Sequence, residues 1–379
     1  MKILADENIP HVHDAFATFG SVNTFVGRDL KAEQIQDTDI LLVRSVSQVS
    51  ANLLKNSAVK FVGTATIGLD HIDQNYLAQQ KIGFASAPAS NADSAAEYVL
   101  SALLIIAQQR GLHLPDLSVG IIGCGNVGSR VQQKLTTVGL SCFINDPPRQ
   151  QRGDLKDGVD LDTALQCDIV SLHVPLETTG DYPTNALINA DSLKTMRDDA
   201  IFINTSRGAT MQYSPLLTKL QSCPNFSAIL DVWPNEPCVE AELLALSCLA
   251  TPHIAGYSLD GKVRATEMLY QAVCQYFDIS PQWTANDSLP AADLNSLKFS
   301  LNADLLSAVQ TSVLACYDVR RDDALFRKIN QMDNPNAYFD YLRKNYPIHR
   351  EFSCVSVNQN PDRPEWNQCF QQLGFTLSA

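Results

Sequence analysis

Short apolar runs rich in β-branched residues alternate along the chain with longer segments in which apolar positions recur every three or four residues. The runs predict strands at residues 2–5, 21–26, 40–43, 59–62 and 82–85, then at 119–122 and 140–144, and finally at 169–172, 200–203, 228–230 and 248–250. Helical stretches lie between them. Two are long, an amphipathic segment from Ala92 to Arg110 and another from near Asp260 to Phe277. This alternation predicts an α/β fold with two doubly wound parallel-sheet domains. The first is expected over residues 1–93, completed by about 258–285, and the second over 94–257. Beyond them, Leu301, Leu305, Val309 and Val313 recur at four-residue steps, 352–357 reads as a strand and 366–373 as a helix. These predict a small C-terminal α+β domain over 286–379. Residues 147–158, which begin Pro147-Pro148-Arg149, read as a polar loop.

The run at 119–122 leads into Gly123-Cys124-Gly125-Asn126-Val127-Gly128, a G-x-G-x-x-G. Val127, Val131, Leu135 and Val138 follow at helical spacing, and Gly139 stands where a helix stop belongs. Glycines between a strand and a helix start are what a dinucleotide fingerprint requires. Gly123 permits the tight turn, Gly125 lets a pyrophosphate approach the backbone, Gly128 allows close helix–strand packing, and the first N–H groups, from Asn126 and Val127 on, face the phosphates. The next strand ends at Asp146, 18 residues beyond Gly128. A carboxylate there accepts hydrogen bonds from the adenosine ribose and repels a 2′-phosphate, so residues 94–257 are expected to be a Rossmann-type domain and the cofactor NAD. Arg149 pulls the other way, since an arginine close by can meet a 2′-phosphate.

Composition narrows the classes. Of the 379 residues 45% are hydrophobic and 18% charged, as in ordinary globular enzymes. A net charge of −13 argues against nonspecific binding to nucleic acid or an anionic membrane, though not against an anionic substrate. The ten cysteines include no C-x-x-C pair and none has a histidine at zinc spacing, so neither a metal site nor a disulfide framework is expected. Reduced thiols point to the cytoplasm. The opening MKILADENIP does not have the form of a secretion signal, and the longest apolar run, near residues 98–107, is too short to span a bilayer. His11 and His13 have no further ligand-type residues around them.

Polar clusters follow the predicted strands, at the carboxyl ends where open sheets bind ligands. Arg44-Ser45 follows one strand, Thr64 to Gly68 the next, and His173-Val174-Pro175 a third. Then come Asn204-Thr205-Ser206-Arg207-Gly208, the segment Asp231 to Pro237, and Thr251 to Tyr257. The order N-T-S-R-G, D-V-W-x-x-E-P and T-P-H-I-A-G-Y, after the nucleotide fingerprint, resembles the D-isomer-specific 2-hydroxyacid dehydrogenases over about residues 1–280. Further segments (the opening decapeptide, LLVRSVSQV, KFVGTATIGLDHID, NDPPR, HIAGYSLDGK and YDVRRDD) extend the likeness over nearly the whole chain, to a member acting on a phosphorylated hydroxy acid.

The resemblance implies oxidation of that small-molecule acid with reduction of NAD. It implies that His253 is the acid/base, Glu236 its partner, and Arg207 the group that holds the substrate carboxylate and C2 oxygen. It also implies substrate contacts from Ser45, Thr66 and Tyr257, and places Val174, Asp231 and Gly256 near the nicotinamide and its ribose. The chemistry suits these residue types, because hydride removal from C2 needs a base that titrates near neutrality and a cation that cannot deprotonate. Val174 stands where a hydroxyl residue is usual. In the resembled family the C-terminal domain serves homodimerisation. Two other readings share these residues: a dehydrogenase for a different hydroxy acid, and a nicotinamide-sensing regulator of the same fold.

Overall fold

A computed structural model of the chain describes residues 1–285 and 289–378. It divides into two compact units, Met1–Asn91 with Ser258–Ala291, and Ala92–Tyr257 with the chain from Ala292 onward. The boundary expected at residue 286 lies outside the described residues.

The first unit is built on five parallel strands, β1 (Lys2–Asp6), β2 (Ser21–Phe25), β3 (Ile40–Val43), β4 (Phe61–Thr64) and β5 (Gly83–Ala85), in the order β2-β1-β3-β4-β5. Every residue of β3 and β4 is buried, as in a parallel sheet covered on both faces. β4 begins two residues later than the apolar run 59–62 suggests. Register decides this: Lys60 and Phe61 both donate to the Asp39 carbonyl, so Phe61 is the first residue to pair, with Ile40. The helix Leu259–Tyr276, capped by the Ser258 hydroxyl accepting from Gly261 N at 2.9 Å, buries Leu269, Tyr270, Val273 and Cys274 against Ile3, Phe16 and Phe61. Gly63 lets it close in, since a Cβ there would sit 2.8 Å from Leu42 Cδ2 and 3.3 Å from Leu269 Cδ2.

The second unit holds six parallel strands, β6 (Ser118–Ile122), β7 (Ser141–Asn145), β8 (Ile169–Leu172), β9 (Ile201–Asn204), β10 (Ser227–Leu230) and β11 (Leu249–Ala250), ordered β11-β10-β9-β8-β6-β7. Strand order reverses at β6, which opens a crevice at the carboxyl ends of β6 and β8. The helix Ala92–Arg110 is not amphipathic in its setting. It is buried on nearly every side from Ala92 to Ala107 because later parts of the chain cover it. Its polar residues are matched accordingly: Ser94 donates to Ala255 O (3.1 Å), Ser101 to Tyr317 O (2.8 Å), and Glu97 accepts from Phe352 N (3.1 Å).

That cover comes from the C-terminal stretch. Its strands β12 (Ser296–Leu297), β13 (Ser356–Asn358) and β14 (Thr376–Ser378) pair in parallel. The helix expected from Leu301 starts at Leu305, where Asp304 caps it by accepting from Ser307 N at 2.8 Å. The strand expected over 352–357 is split. Phe352–Cys354 turns as a 3₁₀ helix so that Phe352 can stack on Phe375, and pairing starts only at Ser356. Trp366, Phe370 and Leu373 of the helix Pro364–Leu373 share one core with Val131 and Leu135, each fully buried large side chain contributing about 1.5–3 kcal/mol.

The polar loop expected over 147–158 is a helix in its first half, Pro147–Arg152. Asp146 caps it by accepting from Arg149 N at 3.1 Å, two prolines occupy its first positions, and Gly153 at φ 80° ends it. Among the described residues no helix is long and apolar enough to cross a membrane, and no three His, Cys, Asp or Glu side chains gather as a metal site.

Candidate active site

The glycine turn leaves β6 at the point where strand order reverses. Gly123 has φ 85° and donates to Asn145 O at 2.8 Å, a conformation that disfavours side chains. A Cβ on Gly128 would collide with the Gly123 carbonyl, while the space over Gly125 is open. The turn is therefore closed on its protein side and clear on the other, as a pyrophosphate cradle must be. The helix Asn126–Thr137 follows directly, and its first N–H groups have no intrahelical partner. These residues fit a dinucleotide.

Asp146 stands at the end of β7 and is half-buried. Besides the ribose role expected of it, it has a bracing contact within the protein. Its Oδ2 accepts from Cys124 N at 2.8 Å, so the carboxylate also ties the glycine turn to the next strand. A carboxylate has about four acceptor positions, which leaves room for a ribose hydroxyl. Arg149 folds back to donate to Cys124 O (2.5 Å) and Asp154 O (3.4 Å). Beneath the turn, half-buried His173 shares hydrogens with Ser171 Oγ (2.8 Å) and Thr205 Oγ1 (3.3 Å). Burial pushes it down to about 3, so it is neutral. Val174 is next along, its Cγ1 lining the same turn at 2.8 Å from where a Gly123 Cβ would lie.

Three further loops converge after β9, β10 and β11. Asn204 holds the first, its Oδ1 accepting from Ser206 N (3.0 Å) and Oγ (2.8 Å) and its Nδ2 donating to Arg207 O (3.2 Å). Arg207 is half-buried and donates from Nη1 to Ser206 O at 2.8 Å. Gly208 brings this loop against the second, since a Cβ there would overlap the Trp233 carbonyl. Trp233 locks the second loop to the third: its indole donates to Thr251 O at 2.9 Å, and its backbone N–H donates to Glu236 Oε1 at 2.9 Å. Glu236 Oε2 then meets His253 Nδ1 at 2.8 Å. Burial works to raise the Glu236 carboxyl, but the charge and hydrogen bond of His253, the Arg343 guanidinium and the Trp233 amide together hold it below its ordinary value. An ionised Glu236 fixes the proton on Nδ1 and leaves the lone pair of a neutral imidazole on Nε2.

His253 has φ 58°, a left-handed conformation that costs an ordinary residue of order 1–3 kcal/mol. Asp231 pins it there. The Asp231 carbonyl accepts from His253 N at 2.7 Å, Oδ1 accepts from Ile254 N (2.7 Å) and Thr251 Oγ1 (2.6 Å), and Oδ2 from Ala255 N (2.9 Å). Asp231 is 1% exposed, and its carboxylate organises the histidine turn. Gly256 is half-buried in the same turn, and Tyr257 closes it by donating from its backbone to Ile254 O at 2.9 Å.

In the first unit Ser45 is an exposed turn residue just after β3. Thr66, half-buried after β4, donates to Gly68 O at 2.9 Å and shares a hydrogen with Thr64 Oγ1 at 2.7 Å. Sequence reasoning passed over Asn204, Gly208 and Trp233, although each stands inside a motif it used. A glycine directly after the arginine and a tryptophan among strand-end polar residues were the available signals.

A glycine turn at a topological switch point, an acid ending the next strand, and a His–Glu pair on neighbouring strand-end loops define a nicotinamide-dependent hydroxyacid dehydrogenase. The profile of the D-isomer specific 2-hydroxyacid dehydrogenase, NAD binding domain, matches residues 95–255, and a domain of unknown function (DUF3410) matches 288–374. The fold is that of NAD-bound 3-phosphoglycerate dehydrogenase from Entamoeba histolytica (TM-score 0.63, 23% identity, 73% of this chain and 95% of that one). It is equally that of D-lactate dehydrogenase from Aquifex aeolicus (TM-score 0.61, 23% identity, 73% and 96%). Full-length similarity is narrower. Erythronate-4-phosphate dehydrogenase of Marinobacter nauticus is 44% identical and that of Tolumonas auensis 43%, each alignment covering 100% of both chains. The chain belongs to the erythronate-4-phosphate dehydrogenase family, and its cofactor is NAD.

Proposed function

We propose that the chain oxidises 4-phospho-D-erythronate to 3-hydroxy-2-oxo-4-phosphobutanoate with reduction of NAD, in the formation of pyridoxal 5′-phosphate. The observation that carries this is the 2.8 Å His253–Glu236 pair, in a chain similar over its full length to enzymes of that name. NAD, when bound, takes the hydride from C2. His253 Nε2 takes the C2 hydroxyl proton in the same conversion, so the alcohol loses one hydride and one proton and becomes a ketone. Glu236 keeps the Nδ1 proton in place and balances the imidazolium that results. Arg207 presents a planar fork to the substrate carboxylate and stabilises charge growing on the C2 oxygen. Gly123, Gly125, Asn126, Val127 and Gly128 hold the pyrophosphate, and Asp146 holds the adenosine ribose. Val174 and Gly256 border the nicotinamide, with Asp231 acting through the turn it supports. Ser45, Thr66 and Tyr257 are assigned to the substrate by family resemblance.

The chain is further proposed to work in the cytoplasm as a homodimer through residues 286–379. Light scattering of the full chain at micromolar concentration should give twice the monomer mass, and a monomer refutes it. The catalytic reading is tested by NADH absorbance on a panel of phosphorylated and unphosphorylated D-2-hydroxy acids. Preference for another acid redirects the substrate assignment. NAD binding without turnover of any of them favours a regulator.

A further inference from the structure

Tyr257 is gripped by side chains from the stretch that matches a domain of unknown function. The guanidinium of Arg343, on the helix Pro335–Lys344, lies 5.6 Å from the Tyr257 ring centroid and 5.8 Å from that of Phe339. Tyr346 meets Tyr257 edge-on at 5.8 Å and 86°. Tyr346 is itself fixed, donating to Asp322 Oδ2 at 2.8 Å, an oxygen that also receives the Tyr317 hydroxyl at 2.8 Å. Two features set Arg343 apart from a surface cation resting on a ring. Its Nε is buried and has no hydrogen-bond partner among the described residues. Its charge also acts on Glu236, the partner of His253. A cation drawn partly out of water is costly unless something offsets it. Here the Tyr257 ring, on the loop that carries His253, Glu236 on the neighbouring loop, and Asp340 on Arg343's own helix do so.

We propose that Arg343 is a positioning residue of the active site, holding the Tyr257 ring in the orientation in which it meets the substrate. The C-terminal stretch thereby completes the catalytic loop of its own chain, a task separate from any part it plays between chains. The role of Tyr257 toward substrate rests on the dehydrogenase reading; the clamp itself does not.

Removing this partly desolvated cation–π contact should loosen the ring and weaken substrate binding about tenfold. Arg343→Met should therefore raise KM for the hydroxy acid about tenfold, with kcat within about twofold and NAD affinity unchanged, because the lost interaction serves ground and transition states alike. Arg343→Lys should recover only part of the loss, since an ammonium cannot stack as a planar group. Combining Arg343→Met with Tyr257→Leu should cost no more than Tyr257→Leu alone. The clamp is also read without substrate: in tyrosine-labelled enzyme bound to NAD, the ring signal absent from Tyr257→Leu should shift in Arg343→Met. A wild-type chain that oxidises a different acid, or none, defeats the functional reading while that signal still tests the clamp. Unchanged KM and ring signal, independent additive losses in the double variant, a KM rise confined to phosphorylated substrates, or loss of NAD binding in the Lys variant would each overturn the proposal.

Discussion

Gly208 tests how tightly the catalytic loops must be held. A methyl group there would overlap the Trp233 carbonyl and lie 2.6 Å from Pro234 N, and all the atoms it meets are backbone. Restoring an ordinary 3.4 Å separation parts the two loops by about 0.8 Å at Pro234 and by more at Trp233. Trp233 cannot yield alone, because its N–H holds Glu236 and its indole holds Thr251. The displacement therefore falls on Arg207 relative to the Glu236–His253 pair. A shift near 1 Å between reacting groups costs about 10²-fold in rate, and overpacking costs about 1–3 kcal/mol in stability. Gly208→Ala should thus lower kcat/KM about 10²-fold and lower Tm, yet leave NAD affinity near wild type, since the glycine turn belongs to β6. Steady-state kinetics, NAD titration and thermal unfolding of the one variant check all three. Wild-type kcat/KM in a folded Gly208→Ala enzyme would refute the reasoning.

Asp146→Ala removes a ribose acceptor, a helix cap and the brace on Cys124 N, so NAD should bind at least about tenfold more weakly, stability should fall by about 0.5–2 kcal/mol, and NADP should be less excluded. Cofactor titrations and unfolding curves report this, and unchanged NAD affinity contradicts it. Arg207→Lys should cost about 10- to 100-fold in kcat/KM with NAD affinity unaltered, because an ammonium replaces a planar fork; full activity in that variant would remove Arg207 from carboxylate binding. Burial opposes the charge on Glu236, but His253, Arg343 and the Trp233 amide hold its carboxyl below the ordinary 4.5. On acidification the unfolded chain therefore takes up this proton first. The stability the group contributes is present above 4.5 and is lost as pH falls through the lower folded value. Denaturant midpoints against pH should accordingly flatten on the acid side in Glu236→Gln, and an unaltered slope would show that the pairing adds nothing.

The strands were legible because parallel sheets buried on both faces demand continuous apolar runs, as in Ile40–Val43 and Ile169–Leu172. Their exact starts were not, since the pairing of Phe61 with Ile40 is a property of two distant segments. The helix Pro147–Arg152 has no apolar stripe and is held by Asp146 and Gly153 instead. Helix Ala92–Arg110 looked amphipathic because its cover, including Tyr317 and Phe352, lies more than 200 residues away. Arg207, Glu236 and His253 were legible because each sits in a motif at a strand end. What they could not reveal was that the Asp231 carboxylate accepts three hydrogen bonds from the histidine turn, or that Arg343 lies over Tyr257. Both depend on three-dimensional packing around residues of unremarkable local sequence.

The central claim is that His253 accepts the C2 hydroxyl proton while the chain reduces NAD at the expense of 4-phospho-D-erythronate. The most direct measurement is initial NADH formation from that acid by the wild type and by His253→Ala, with NAD affinity measured in both. The wild type should turn over 4-phospho-D-erythronate in preference to unphosphorylated D-2-hydroxy acids, and His253→Ala should lose about 10²- to 10⁴-fold in rate while binding NAD as before. Near wild-type turnover by His253→Ala, or no NADH from 4-phospho-D-erythronate with the wild type, would contradict the account.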